Sequence, residues 1–209
     1  MHYEPTYLMM GEESKDYKLM GKPSDELDTA WEELMKDFFT EVPYSYVASV
    51  GRLNEAIPME RGGFLATYSF MHQIHCLKRL HHSYWPDRYF PNTTQQDRVN
   101  LQEHNLHCLQ MLLKAVMCKA DTNPETLHWV DESRFPLGNR SSPHECVNWD
   151  FLMKGMRQNR IDPFKPGVLV HPKFGPVVPD GRNSVIDEKE KHRFVINGTT
   201  LLVSETDVK

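Results

Sequence analysis

The pentapeptide His72-Gln-Ile-His75-Cys76 is written a second time, with two substitutions, as His104-Asn-Leu-His107-Cys108. Histidines three residues apart on a helix lie on neighbouring turns of one face, and a cysteine four residues after the first histidine shares that face. Each copy therefore offers half of a metal site. Two copies facing each other would bring together four imidazoles and two thiols. These are enough ligands for a dense mononuclear site or for a pair of metal ions.

Hydrophobic spacing places both copies on predicted helices, one over about residues 65–83 and one from Thr93 or Thr94 to about Lys119. Apolar residues at helical spacing predict the core-facing positions. On the first helix they are Met71, Ile74, Leu77 and Leu80, and on the second they form an apolar stripe of Leu106, Leu109, Leu113, Val116 and Met117.

The loop of about ten residues between these helices favours an antiparallel pair. In such a pair His72 lies opposite His107 and His75 lies opposite His104. The two cysteines then diverge by roughly 7 to 8 Å along the helix axes, at about 1.5 Å per residue, which disfavours a mutual disulfide or one tetrahedral site. Structural zinc held by Cys and His remains the competing interpretation.

The whole pattern predicts one mainly α domain, a helical core of about four helices with long irregular loops and a C-terminal β-hairpin. A flexible lead-in covers 1–22, a helical metal-binding domain covers 23–162, and a strap and hairpin cover 163–209. Helix one begins after Pro23-Ser24 and buries Trp31, and a fourth helix runs from Ser142 to about Arg160. A short strand is predicted at 46–50, an irregular connection at 121–142, and a hairpin turn at Asn197-Gly198.

Composition and charge narrow the functional classes. The 209-residue chain has a net charge of −5 and a pI of about 6.1, with scattered basic residues, which argues against a nucleic-acid partner. It contains neither an apolar run of the roughly 20 residues that cross a bilayer nor a signal peptide. Three sequons, at Asn92, Asn139 and Asn197, favour a secretory route. The four cysteines allow three disulfide connectivities, metal ligation or four free thiols. In an oxidising compartment, a Cys118–Cys146 disulfide is favoured, and it would join the end of the second motif helix to the start of the fourth helix.

Five stretches together resemble the UstYa-like oxidases of fungal secondary metabolism, over about residues 22–160. They are the two pentapeptides, Pro23-Ser-Asp-Glu-Leu-Asp-Thr-Ala-Trp31, Leu113-Lys-Ala-Val-Met-Cys118-Lys-Ala-Asp121, and His144-Glu-Cys146-Val-Asn-Trp149. Members of that family carry out oxidative C–H chemistry on natural products, and the doubled motif is taken as their metal centre, with copper implicated. The resemblance implies that the copper ligands are His72, His75, His104 and His107.

Other metals are alternatives to copper, and other residues are candidates for the site beside the four histidines. Glu103 beside His104 leaves a two-His-one-carboxylate iron site open, and zinc is the third candidate. Tyr68 is predicted on the metal-facing side of its helix, where a phenol could hydrogen-bond substrate or bound oxygen, so it is the candidate catalytic residue. His128 and His144 are candidates for a further ligand or for groups that orient the ligands.

The resemblance implies copper-dependent hydroxylation, halogenation, desaturation or cyclisation of a small-molecule or peptide natural product. Dioxygen, and a halide for halogenation, would be the co-substrates, and a homo-oligomer stays open. Family members usually begin with a membrane-spanning helix that places the domain in the secretory lumen, so the lumen or the secreted fraction is the expected location. The alternative class is a non-enzymatic protein, a structural-zinc or metal-carrying partner in a biosynthetic pathway.

Overall fold

The computed structural model describes residues 3–9, 17–139, 141–163, 165–173, 175–176, 193–196 and 199–202. These residues form six α-helices, ten short strands, and 3-10 helices at Tyr17–Leu19 and Arg157–Asn159. The helices are α1 (Asp25–Met35), α2 (Tyr44–Ser49), α3 (Ser69–Ser83), α4 (Pro86–Tyr89), α5 (Gln95–Lys119) and α6 (Trp149–Met156). The strands are β1 (Tyr3–Met9), β2 (Phe39–Val42), β3 (Phe64–Thr67), β4 (Leu127–Val130), β5 (Ser133–Gly138), β6 (Ser141–Val147), β7 (Val170–His171), β8 (Gly175–Pro176), β9 (Arg193–Ile196) and β10 (Thr199–Leu202).

The prediction of one mainly α domain with four helices is wrong. The strands pair into five two-stranded antiparallel sheets among the described residues, and the chain divides into two compact units. One unit comprises Met1–Leu34 with Leu113–Gln158, and the other comprises Met35–Leu112 with Asn159–Lys209. Several of these strands are four residues or shorter, so too little of the period-two pattern is present for sequence reading to recognise them.

The second unit contains both histidine motifs. Its β2 and β3 pair from Phe39 opposite Thr67 to Val42 opposite Phe64. Thr40 is 1% exposed and donates its hydroxyl to the carbonyl of Asn159 at 3.2 Å. Because residues 64–67 are paired in this sheet, the first motif helix begins at Ser69 and not at Leu65. The strand predicted at 46–50 is also wrong, since Tyr44–Ser49 is helical.

The second motif helix matches its prediction. A reciprocal cap defines the start of α5: the Thr94 hydroxyl accepts the backbone N–H of Asp97 at 3.2 Å, and the Asp97 carboxylate accepts the backbone N–H of Thr94 at 2.8 Å. The predicted core-facing positions are less accurate. Leu77 of α3 is exposed, and so is every member of the apolar stripe on α5.

The first unit is built on pairings that the sequence reading missed. Strand β1 runs antiparallel to β6, from Tyr3 opposite Val147 to Met9 opposite Ser141. Residues 3–9 are therefore part of a sheet, so the prediction of a flexible lead-in is wrong for this segment. The predicted fourth helix is likewise shorter than expected, because residues 141–147 form β6. Helix α6 begins after Asn148, whose side chain accepts the backbone N–H of Phe151 at 2.9 Å.

A hydrogen-bonded chain of side chains joins β6 to the residue just beyond α5. The Ser142 hydroxyl and His144 Nε2 are 2.7 Å apart, and His144 Nδ1 lies 2.5 Å from an Asp121 carboxylate oxygen. Asn123 donates its backbone N–H to the same carboxylate at 2.9 Å, and this bond, followed by His144, lowers the pKa of Asp121. Ser142 is buried and the next residue, Pro143, has no N–H to stabilise an oxyanion. We therefore interpret the chain as a structural tie.

All four cysteines are free thiols in the structure, so the predicted Cys118–Cys146 disulfide is not formed in it. The tie between Asp121 and His144 joins the same two segments that this disulfide was expected to join. The irregular connection predicted at 121–142 is also wrong in part, because β4 and β5 pair within it.

Burial predicts an order of reactivity for these thiols. Cys76 and Cys108 are 0% exposed, whereas Cys118 is exposed. Because a thiol must reach the reagent, we expect iodoacetamide to modify Cys118 in the folded chain, and Cys76 and Cys108 only after unfolding. Peptide mapping by mass spectrometry, with and without urea, measures this. Modification of Cys76 or Cys108 as fast as Cys118 in the folded protein would contradict the packing described here.

Three further predictions can be compared with the structure. Trp31 is 1% exposed, which confirms it as a core residue. Strands β9 and β10 pair antiparallel, which confirms the C-terminal hairpin, although its turn residues Asn197 and Gly198 lie outside the described residues. Across the described part of the chain, no helix combines the length and the hydropathy that a membrane span requires.

Candidate functional site

Four imidazoles form a closed ring of neighbours between α3 and α5. The centroids of the His72 and His107 rings are 5.8 Å apart, and those of His75 and His104 are 6.1 Å apart. Within each helix the two rings are 6.2 Å apart on α3 and 6.3 Å apart on α5. This arrangement confirms the antiparallel register inferred from the short loop, with His72 opposite His107 and His75 opposite His104.

The imidazole cluster is wider than a closed mononuclear site. Four rings around one tetrahedral metal, at metal–nitrogen distances of about 2.0 Å, would have centroids roughly 5 Å apart. The observed separations are about 1 Å larger. In agreement, no group of three or more His, Cys, Asp or Glu side chains in the described residues is already arranged to hold a metal. To bind one metal ion tetrahedrally, the four rings would have to move closer together by this difference in centroid separation.

The protonation state of His104 nevertheless favours metal binding. Burial lowers the pKa of His104 from 6.5 to about 4, with further lowering by the positive charge of Arg79 and then by His75, His107 and His72. At neutral pH the His104 imidazole is therefore uncharged. Metal binding requires the neutral form of histidine, so this member of the cluster is in the competent state.

Arg79 lies near the cluster and is buried, which helical spacing alone does not predict. It lies one helical turn after His75, is 4% exposed, and places its guanidinium 5.1 Å from the centroid of the Phe90 ring. Sequence spacing alone leaves a solvated arginine open at this position, but the side chain is buried. The available signal was the i, i+4 relation to His75, which puts both residues on one face.

The surroundings of the cluster are largely apolar. Met71, Cys76 and Cys108 are each 0% exposed, and they occupy the helix positions directly beside the histidines. The Phe38 ring, just before β2, has its centroid 5.8 Å from that of His75. The cluster therefore has buried apolar or weakly polar side chains next to it along both helices, and an aromatic ring beside His75.

The other predicted site residues are dispersed. Tyr68 immediately precedes α3 and accepts the backbone N–H of His72 through its carbonyl at 3.1 Å, while its ring stacks on Phe70. Its side chain is 38% exposed, so a substrate could reach the phenol. Glu103 and His128 are exposed, and His144 belongs to the tie with Asp121. The structure therefore brings together the four histidines and leaves these other candidates outside the cluster.

Two pairs of imidazoles on facing antiparallel helices place this chain among proteins that carry a histidine cluster between two helices. A family model described as "Mycotoxin biosynthesis protein UstYa" matches residues 1–158. The chain therefore belongs to the UstYa family, in agreement with the resemblance carried by the doubled motif.

Curated relatives carry oxidase names. The chain is 29% identical over 135 residues to the UstYa family oxidase aprY and 30% identical over 111 residues to the oxidase ustYa, both of Aspergillus flavus. It is 26% identical over 160 residues to the UstYa family oxidase phomYd of Diaporthe leptostromiformis. These matches cover 60%, 52% and 72% of this chain, but only 40%, 46% and 51% of the respective relatives. No solved structure matches the chain.

Proposed function

We propose that this protein is a copper-dependent oxidase that functionalises a C–H bond of a natural product. The observation that carries the proposal is the ring of four imidazoles in the antiparallel register, on a chain whose family relatives are named oxidases. The reaction is one of hydroxylation, halogenation, desaturation or cyclisation, and the substrate is a small molecule or peptide. Copper bound there would supply the one-electron chemistry that activates dioxygen.

The donor set supports copper over the alternatives. All-nitrogen imidazole ligation suits copper, whereas non-haem iron sites of the two-His type need a carboxylate. The candidate carboxylate, Glu103, is exposed. A structural zinc would use the thiolates, but the pairing of His72 with His107 and of His75 with His104 puts Cys76 and Cys108 at opposite ends of the cluster.

The residues of the chain have separable roles in this proposal. The imidazoles of α3 form one chelate, and those of α5 form the other, because each pair spans about one helical turn. Arg79 contributes a fixed positive charge beside His104. Such a charge favours the metal state of lower charge, so it would ease reduction of the site before oxygen reacts. Met71, which is buried, and Phe38, whose ring lies beside His75, would limit the access of water to that side of the cluster.

Tyr68 is proposed to orient the substrate. Its backbone is held next to α3 by the bond to His72, while more than a third of its side chain is exposed. We expect Tyr68→Phe to lower kcat/KM about tenfold or more through loss of one hydrogen bond to the substrate, with copper content unchanged. Steady-state kinetics and metal analysis measure both. Unchanged kinetics would show that Tyr68 does not orient the substrate.

Metal analysis tests the centre itself. The full chain is purified, loaded with Cu(II), Fe(II) or Zn(II), dialysed and measured for bound metal and for its EPR spectrum. We expect copper to be retained, with nitrogen hyperfine coupling from imidazoles, and oxygen-dependent turnover with candidate metabolites. One zinc per chain, bound through cysteine and without any oxidase activity, would favour the non-enzymatic alternative instead.

A further inference from the structure

The apolar stripe on α5 points away from the histidine cluster and into solvent. Leu106 and Leu113 are each 59% exposed, and Val116 is 70% exposed. At 3.6 residues per turn, these positions lie on the side of α5 opposite His104 and His107. Leu109 and Met117, the remaining members of the stripe, are exposed as well. Single exposed apolar side chains are common on protein surfaces, whereas a contiguous exposed patch of them marks an interaction surface.

The spacing of the exposed apolar residues indicates that the partner of this surface is a helix. Leu106, Leu109, Leu113 and Val116 follow one another at intervals of three, four and three residues, the alternation of positions a and d in a coiled coil. Val99, also exposed, precedes Leu106 by one heptad. Knobs at these positions fit into holes on a partner helix that has the same repeat. A second copy of α5 has that repeat.

Charge then specifies the direction of the second helix. In a parallel pair, position g of one helix faces position e of the next heptad on the other helix. With Leu106 at position a, Arg98 occupies g and Glu103 occupies e, and both side chains are exposed. A parallel pair would therefore form two Arg98–Glu103 ion pairs, one on each side. The antiparallel register that pairs Val99 with Val116 would instead place Arg98 beside Lys119 of the other copy, with like charges together.

We propose that two copies of this chain associate through a parallel pairing of their α5 helices, with the apolar stripe at the centre and Arg98–Glu103 ion pairs at its flanks. Each histidine cluster lies on the far side of its own α5. Association therefore leaves both clusters accessible and independent, and the proposal does not depend on the metal or on the oxidase activity.

Sedimentation velocity of the full chain over a concentration series tests this proposal. We expect a species of twice the 24.4 kDa chain mass at micromolar concentration. Leu109→Glu should raise the dimer Kd by at least about tenfold, since it places a charge in the buried centre. Lys114→Glu, on the same helix but outside the stripe, is the matched control and should leave the Kd unchanged. Circular dichroism verifies that both variants are helical.

Charge exchange tests the direction. Arg98→Glu and Glu103→Arg should each weaken the dimer, and the double exchange should restore it. A wild-type chain that stays monomeric at several hundred micromolar, or a Leu109→Glu variant that dimerises as well as wild type, overturns the proposal. Strengthening by Arg98→Glu alone would show an antiparallel pair and would overturn the parallel arrangement.

Discussion

Replacing His75 or His107 by alanine is expected to abolish oxidation while leaving the protein folded. Each substitution removes one imidazole of a two-ring chelate, so the remaining chelate can hold metal only weakly. We expect reduced copper content and a loss of turnover beyond about 100-fold, since even residues that merely orient metal ligands contribute about 10–100-fold. Copper is measured by elemental analysis, turnover by product formation, and folding by circular dichroism.

The expectation that folding survives follows from the packing around the cluster. Met71 and Cys76 of α3 and Cys108 of α5 are fully buried, and neither substitution removes any of these side chains from the core. A structural metal would behave differently, because its binding free energy is folding free energy. His128→Ala is the matched control, since His128 is exposed on β4. Normal activity in either variant, or unfolding of both, would count against a four-histidine catalytic copper centre.

The second large effect concerns the core of the first unit. Trp31 is 1% exposed and faces inward from α1. Trp31→Ala removes a large buried side chain and leaves a cavity, so the free energy of unfolding should fall by about 3–5 kcal/mol. Urea denaturation followed by circular dichroism measures this loss.

Trp129 supplies the control for that measurement, because it is the same residue type in the same unit and is 75% exposed. Trp129→Ala should change the free energy of unfolding by no more than about 0.5 kcal/mol. Equal losses for the two variants would mean that Trp129 is covered in solution, and a small loss for Trp31→Ala would refute its role in the core.

The helices that carry the histidines could be predicted because their signals are local. The start of α5 follows from the Thr94 and Asp97 cap, and its end from the loss of periodicity after Lys119. Interactions that define a helix connect residues three or four apart, so a short stretch of sequence contains them all. The short connection between the two helices then limits their relative direction.

The strands could not be predicted in the same way. Pairing of β1 with β6 joins residues more than a hundred positions apart, and neither strand shows a long alternating pattern. Nothing within residues 3–9 indicates a partner, and residues 141–147 read equally well as the first turns of a helix. The partner of a strand is a property of the folded chain.

By itself, therefore, the sequence determined the four histidines, the two helices that carry them and the register in which they face each other. Tertiary structure decided the rest: the spacing of the four rings, the burial of Arg79 and the outward direction of the apolar stripe. Periodicity identifies the apolar side of a helix but not what covers it. Burial depends on which distant segments pack there, and those contacts exist only once the chain has folded.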